Sequence, residues 1–265
     1  MNTITLDRGQ IKREALAINK NAKVSAYLFT LLWLGIVLIL NTLYGWVSGS
    51  TAAQITQYAD ALGGSISFTL HTPDFPAGVV TFVTVVVSLL TSILSAGYAL
   101  YILGIRRGQH MGYGTLFDGF AFAGKIILLD IVMSLFIILW TLLFIIPGII
   151  AAYRYSFALY NLCENPEIGV MEAISLSKEQ TRGYKWQLFV LDLSFIGWAI
   201  LSALTLGILN IWLTPYMLQS RVGYFQKIKE IKHIGYFPPS ENDGRFHSDE
   251  RFAAPDEHKP YDPEL

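Results

Sequence analysis

Three charged residues interrupt long apolar runs of this chain: Asp130, Arg154 and Asp192. A charge at the centre of a bilayer costs at least about 2.5 kcal/mol, so each of these residues is a candidate for function. In a structural role, the two acids lie near the interface beside Lys125 and Lys185, and Arg154 snorkels outward or pairs with Asp192. In a functional role, the three residues line a polar path for an ion or a lipid headgroup. Both roles are open at the level of sequence.

No other pattern of residues indicates chemistry. The sequence has no nucleotide-binding loop, no HExxH or GxSxG motif and no Cys–His spacing typical of a metal site. Glycines surround Arg106 and Arg107, and we interpret them as a flexible basic loop rather than as a phosphate site. We therefore predict no catalytic residue, no cofactor and no bound metal, and we expect that the protein is not an enzyme.

The composition is that of a membrane protein. Hydrophobic residues make up 53% of the chain and charged residues 15%, against about 25% charged residues in an ordinary soluble domain. Several stretches reach or approach the ~18 apolar residues that a spanning helix needs, at Val24–Val47, Val79–Leu103, Ile126–Ile146 and Leu188–Leu213. The sequence predicts an all-α fold, a polytopic transmembrane helical bundle.

The distribution of Lys and Arg predicts the orientation. The N-terminal segment carries five basic residues, the stretch 48–78 carries none, and Arg106, Arg107 and Lys125 follow the second span. Basic residues near the ends of spans favour the cytoplasmic side. We therefore expect a multi-pass protein of the cell membrane with both termini in the cytoplasm.

Two apolar stretches contain a turn that keeps the later basic residues on the same side. Pro147 and Gly148 predict one hairpin turn and Gly207 predicts another. The result is about six spans arranged as three helical hairpins; four spans with re-entrant bends is the alternative. The six predicted spans are residues 24–47, 79–104, 126–146, 149–164, 187–206 and 208–226.

Two amphipathic helices are predicted on the cytoplasmic surface. Asp7 can cap the N-terminal helix in a capping box with Gln10. A second helix is predicted over Pro166–Arg182, with Asn165 as its N-cap and Gly183 at its end.

The last thirty residues differ from the rest of the chain. Residues 236–265 hold eight acids, three bases and five of the ten prolines, and thus a net charge of −5 in a chain of net charge −1. This composition predicts a disordered acidic cytoplasmic tail after an integral membrane domain at 1–235.

Several motifs resemble one bacterial family of integral membrane proteins, the domain of unknown function 975. The resemblance covers roughly residues 8–232 and is carried by IIPGII at Ile145–Ile150, ENPEIG at Glu164–Gly169, LSFIGW at Leu193–Trp198 and WLTPY at Trp212–Tyr216. It implies a multi-span protein without an established activity. More remotely, the hairpins are similar to the membrane domain attached to some glycerophosphodiester phosphodiesterases, although no hydrolase module is present here.

For function, the sequence favours a non-enzymatic membrane scaffold or accessory component. The alternative is a transporter or lipid-handling protein that uses the intramembrane charges. The expected partners are the lipid bilayer and either another membrane protein or further copies of this chain, and no nucleic acid is expected.

Overall fold

The regular structure of the chain is helical. The computed structural model describes residues 5–22, 24–49, 75–205 and 207–235, and within these ranges it contains no strand. The helices are α1 (Arg8–Asn21), α2 (Ala26–Val47), α3 (Ala77–Arg106), a 3-10 helix (Tyr113–Phe122), α4 (Ala123–Leu143), α5 (Ile145–Tyr155), α6 (Ala158–Glu164), α7 (Val170–Thr181), α8 (Lys185–Leu193), α9 (Ile196–Leu204) and α10 (Asn210–Lys232).

Four helical stretches are long and apolar enough to cross a membrane. They are Ala26–Val47, Ala77–Arg106, Tyr113–Leu143 and Lys185–Leu204. The all-helical prediction is thus confirmed with four candidate spans. The predicted tail, and residues 50–74 of the stretch without basic residues, lie outside the described residues.

The N-terminal helix begins at the predicted cap but not with the full capping box. Asp7 Oδ1 accepts hydrogen bonds from the backbone N–H of Gly9 and Gln10, at 2.8 and 3.2 Å. The Gln10 side chain donates to Glu14 instead of reaching back to Asp7. Ile11 and Ala15 on one face are fully buried, so α1 packs against the bundle with an apolar face.

The second amphipathic helix is shorter than predicted. It starts at Val170 and not at Pro166, because Asn165 accepts from the backbone N–H of Glu167 in a local turn and leaves Gly169 as the N-cap. At the other end, Gly183 has a φ of +86° and reverses the chain after α7. Several residues of α7 are buried against the protein, among them Val170, Ala173, Ile174, Ser177, Gln180 and Thr181.

Two glycines allow α3 and the 3-10 helix to touch backbone to backbone. A Cβ on Gly97 would lie 2.0 Å from the Leu116 carbonyl oxygen, and one on Gly119 would lie 2.5 Å from that of Ile93. Any side chain at these positions would force the two elements apart. The 3-10 helix therefore folds back along the second half of α3, directly before α4 begins.

The first hairpin turn lies three residues before the predicted position at Pro147. The chain reverses at Phe144, whose extended backbone (φ −159°, ψ 148°) separates α4 from α5. Pro147 occupies the first turn of α5, where a missing N–H costs little. Gly148 is needed for contact, since its Cβ would lie 2.1 Å from Thr141 Oγ1. The predicted turn residues Pro147 and Gly148 thus sit in the helix after the turn.

The second predicted turn does fall at Gly207, which has a φ of +85°. Its N–H donates to the Ser202 carbonyl at 2.8 Å and ends α9, after which α10 begins at Asn210. The stretch predicted as one span at 187–206 is divided at Ser194 and Phe195 into α8 and α9. The span predicted at 149–164 is likewise divided at Ser156 and Phe157 into α5 and α6.

The buried core lies at one end of the helices, which we call the packed end. Apart from Val87, burial in α3 runs from Ile93 to Ile105, its second half, and in α4 it is confined to Ile126 and Leu129 near the start. The opposite half exposes apolar side chains, including Leu142 (83% exposed) and Leu204 (77% exposed). We call that half the apolar end. Exposed apolar surface on this scale is typical of helices that face lipid.

Candidate functional site

A carboxylate of α8 and a guanidinium of α10 form an ion pair between the two helices. Arg221 of α10 donates from Nε to Asp192 Oδ1 at 3.1 Å and from Nη2 to Oδ2 at 2.5 Å. Tyr153 of α5 donates its hydroxyl to Oδ2 at 3.0 Å. Such a two-point contact holds the planar groups in one orientation. We call these three residues the Asp192 site.

A bend in the α8–α9 stretch positions Asp192. The Ser194 hydroxyl donates to the Leu191 carbonyl at 2.5 Å, and the Phe195 N–H donates to the Asp192 carbonyl at 2.9 Å. Lys12 of α1 supports this bend, because its ammonium donates to Ser194 Oγ at 2.7 Å and lies 4.0 Å above the Phe195 ring. The carboxylate is therefore held about 10 Å along the helix from Lys185.

The Asp192 site forms part of the wall of a cavity of about 430 Å³. Asp192 and Arg221 supply the charges, and most of the exposed lining is apolar, contributed by side chains such as Leu159, Met217 and Leu218. This volume is within the range of small-ligand pockets. The site thus combines an apolar chamber with a charged pair at its wall.

Trp33 also lines this cavity, from α2. Its indole N–H is buried and has no hydrogen-bond partner among the described residues. A buried donor without an acceptor is destabilising by about 1–3 kcal/mol. This N–H is closed off from the cavity as well, so Arg221 is the charged donor on the wall that an occupant can reach.

The hypothesis that Arg154 pairs with Asp192 is wrong. Asp192 pairs with Arg221, which the sequence did not single out as a candidate. Arg154 instead lies at the packed end near the end of α5, where its carbonyl accepts from the hydroxyls of Ser177 and Thr181, at 2.9 and 3.2 Å. The structure therefore does not bring the three sequence candidates together.

Asp130 is part of a helix–helix contact. The Ser92 hydroxyl of α3 donates to its carboxylate, so a polar side chain of α3 holds α4 at this point. Lys125, which the sequence placed beside Asp130, donates to the Pro166 carbonyl instead. Asp130 takes no part in the cavity, and its surroundings fit the structural role.

Sequence reasoning missed the most deeply buried charge of the described residues. The Glu164 side chain is fully buried and receives Arg107 Nη2 at 2.5 Å and Lys229 Nζ at 2.6 Å. We call these residues the Glu164 cluster. Burial lowers the pKa of the Lys229 ammonium from its ordinary value, and the Glu164 carboxylate opposes this shift. The sequence placed Glu164 only at the end of the predicted span 149–164 and gave it no partner.

The basic segment around Arg106 and Arg107, which the sequence predicted to be a flexible loop, is also held by side-chain contacts. Arg106 ends α3, and its Nε donates to Gln226 at 2.8 Å while Nη2 meets Glu14 at 3.4 Å. Arg106 is 7% exposed in its side chain, so it links α3, α1 and α10. The interpretation of Arg106 and Arg107 as members of a flexible loop is therefore wrong.

Comparison with known proteins supports the predicted resemblance over part of the chain. Residues 142–232, about a third of the sequence, match the family model of a protein of unknown function (DUF975). The match includes Glu164, Asp192 and Arg221 and begins after Asp130. No curated protein and no solved structure matches the chain. The remote similarity to a phosphodiesterase membrane domain therefore has no support from these comparisons.

Proposed function

We propose that this protein is a non-enzymatic lipid-handling protein of the cell membrane, which binds one lipid in the cavity beside Asp192 and Arg221. The observation that carries the proposal is the combination of an apolar chamber with charged and donor groups at its wall. Arg221 is a charged donor, and Leu159 and Leu218 offer apolar surface. Lipids present the complementary combination, namely acyl chains joined to ester and phosphate oxygens.

The position of the cavity along the helices supports the same assignment. Asp192 is seven residues beyond Lys185, the first residue of a candidate span, which is about 10 Å along the helix axis. In a bilayer core of about 30 Å, this depth corresponds to the inner third. A lipid of the nearer leaflet can place its ester region at this level without leaving that leaflet.

We further propose six spans with both termini in the cytoplasm. The contacts at the packed end support this topology, since Glu14 of α1 meets both Arg106 of α3 and Lys227 of α10. The start of the chain, the end of the second candidate span and the end of α10 are thus on one side. The positive-inside rule assigns this basic side to the cytoplasm. Helices α5–α6 and α10 are then the two return spans.

Filling the cavity tests the lipid proposal. Met217→Trp enlarges a half-buried side chain on the cavity wall, and Leu142→Trp adds the same indole on the lipid-facing surface as a control. Each protein is extracted with native lipid, exchanged into a delipidating detergent and analysed by native mass spectrometry. We expect the wild type and Leu142→Trp to retain the same number of lipids, and Met217→Trp to retain about one lipid fewer.

Equal retention by the two variants would refute binding in the cavity. The same spectra also test the scaffold or accessory role, because a protein partner would appear as a stoichiometric complex. A stoichiometric partner together with no retained lipid on the wild type would favour that role over lipid handling.

A further inference from the structure

Three cationic side chains meet on the surface of the packed end, away from the cavity wall. Arg154 is near the end of α5, Arg182 directly follows α7, and Lys185 begins α8. We call these residues the cation cluster. The Arg154 carbonyl accepts hydrogen bonds from Ser177 and Thr181, which fixes the end of α5 against the last turn of α7.

The order of residues after Thr181 completes the cluster. Arg182 is the next residue, and the left-handed backbone of Gly183 then turns the chain so that Lys185 starts α8. Both Arg154 and Arg182 are close enough to exert Coulomb repulsion on Lys185. Three like charges are thus held together by backbone contacts in spite of their mutual repulsion.

Little negative charge compensates the cluster. Glu179 lies 3.7 Å from Arg182, and the two side chains are 55% and 72% exposed. The attraction within such an exposed pair is weak, because water and salt screen it. In the part of the chain that the structure describes, no carboxylate forms a salt bridge with Arg154 or Lys185. The cluster therefore presents a net positive surface that attracts an anion.

The neighbouring apolar surface indicates which anion. Trp186 follows Lys185, is 72% exposed and stacks on Phe189 at 5.2 Å between ring centroids. Leu193 and Ile196, seven and ten residues after Trp186, are also exposed apolar residues. Exposed tryptophan beside basic residues at the start of an apolar helix is typical of the membrane–water interface. A free phosphate ion makes no apolar contact with this surface, whereas the acyl chains of a lipid cover it.

We propose that the cation cluster binds the phosphate headgroup of an anionic membrane lipid. Arg154 and Arg182 provide guanidinium donors for the phosphate oxygens, and Lys185 provides an ammonium. Anionic lipids attract basic residues at the cytoplasmic membrane surface. This site is separate from the cavity and does not depend on an occupant there.

The test compares two variants that lose the same charge. Arg154→Gln/Lys185→Gln removes two members of the cluster, and Arg13→Gln/Lys20→Gln removes two exposed cations of α1. The full chain is titrated with phosphatidylglycerol or phosphatidylcholine in mixed micelles, and bound lipid is counted by native mass spectrometry. A further arm adds inorganic phosphate or glycerol 3-phosphate to the phosphatidylcholine micelles.

We expect the wild type and the α1 variant to prefer phosphatidylglycerol. The cluster variant should lose about thirtyfold in that affinity, since it lacks two basic residues and each contributes about 1 kcal/mol at a membrane surface. Equal losses in both double variants, or equal binding of the two lipids by the wild type, would overturn the proposal. Competition by free phosphate at the same concentration would assign the site to the soluble ion. Met217→Trp should retain the preference, which separates this site from the cavity.

Discussion

Glu164 and Asp192 are both paired with cations, but their surroundings differ. Glu164 is fully buried and is shared by Arg107 and Lys229. Asp192 is 22% exposed in its side chain and pairs with Arg221, which is 41% exposed. The first carboxylate is enclosed by protein where α3, α6 and α10 meet, and the second faces a chamber. An ion pair closed off from any ligand can act only on the fold, whereas one on a cavity wall can also act on an occupant.

This difference separates two explanations for charges in apolar helices. A buried pair is weak evidence for added stability, because the removal of both ions from water costs about as much as their attraction returns. The removal of only one partner of such a pair is nonetheless strongly destabilising, because the charge of the other partner stays buried without compensation. Substitutions in the Glu164 cluster should therefore mainly lower the free energy of unfolding. Substitutions in the Asp192 site should mainly lower the amount of retained ligand.

The largest effect is expected from Glu164→Gln. The variant leaves Arg107 and Lys229 buried close together without their carboxylate, so the free energy of unfolding should fall by about 3–5 kcal/mol. Thermal unfolding in detergent, followed by size-exclusion chromatography, measures the change. Glu167→Gln, an exposed neighbour, should shift stability by less than about 0.5 kcal/mol. Equal behaviour of the two variants would contradict the structural role of the cluster.

A second substitution tests whether the stability effect of Glu164→Gln comes from the buried cations. Lys229→Met in the Glu164→Gln background removes one of the two cations of the cluster and leaves an apolar side chain of similar length. The double variant should recover about 1–3 kcal/mol relative to Glu164→Gln alone. The same thermal assay shows whether the two substitutions are coupled, and strict additivity would mean that Lys229 does not depend on Glu164.

A smaller loss is expected from Asp192→Asn. The amide can still accept from Tyr153, and Arg221 can reach water or a headgroup through the cavity, so the loss should be about 1–3 kcal/mol. The protein should remain monodisperse in size-exclusion chromatography. A loss as large as that of Glu164→Gln would remove the distinction between the two carboxylates.

The smallest effect is expected from Tyr153→Phe. This substitution removes one hydroxyl hydrogen bond to Asp192 and keeps the packing against Phe189, whose ring centroid is 6.0 Å away. The expected loss is about 0.5–1.5 kcal/mol, measured in the same thermal series. No change at all would mean that Arg221 alone orients the carboxylate.

The sequence was informative about membrane helices and turns, and less so about which charges meet. Hydrophobic length and composition act locally, so the candidate spans and the turn at Gly207 could be predicted from them. The pairing of Asp192 with Arg221 depends on how far α10 returns beside α8 after that turn. Sequence spacing alone does not specify this register, and Arg154 was therefore an equally reasonable partner.

Glu164 and Gly148 show a second reason why sequence reasoning missed contacts. The sequence placed Glu164 at the end of a predicted span and Gly148 at a chain reversal. Their structural roles instead come from distant or facing groups, Lys229 for Glu164 and the Thr141 side chain for Gly148. Such roles follow from tertiary packing, which no pattern of neighbours along the chain encodes.

The measurement that tests the account most directly is lipid retention by Asp192→Asn, compared with wild type and Glu167→Gln at equal amounts of folded protein. Native mass spectrometry after detergent exchange counts the lipid on each protein. We predict that Asp192→Asn stays folded and loses more than half of the cavity lipid, measured as the difference in retained lipid between the wild type and Met217→Trp. Undiminished retention by a folded Asp192→Asn protein would contradict the assignment of this carboxylate to a ligand site.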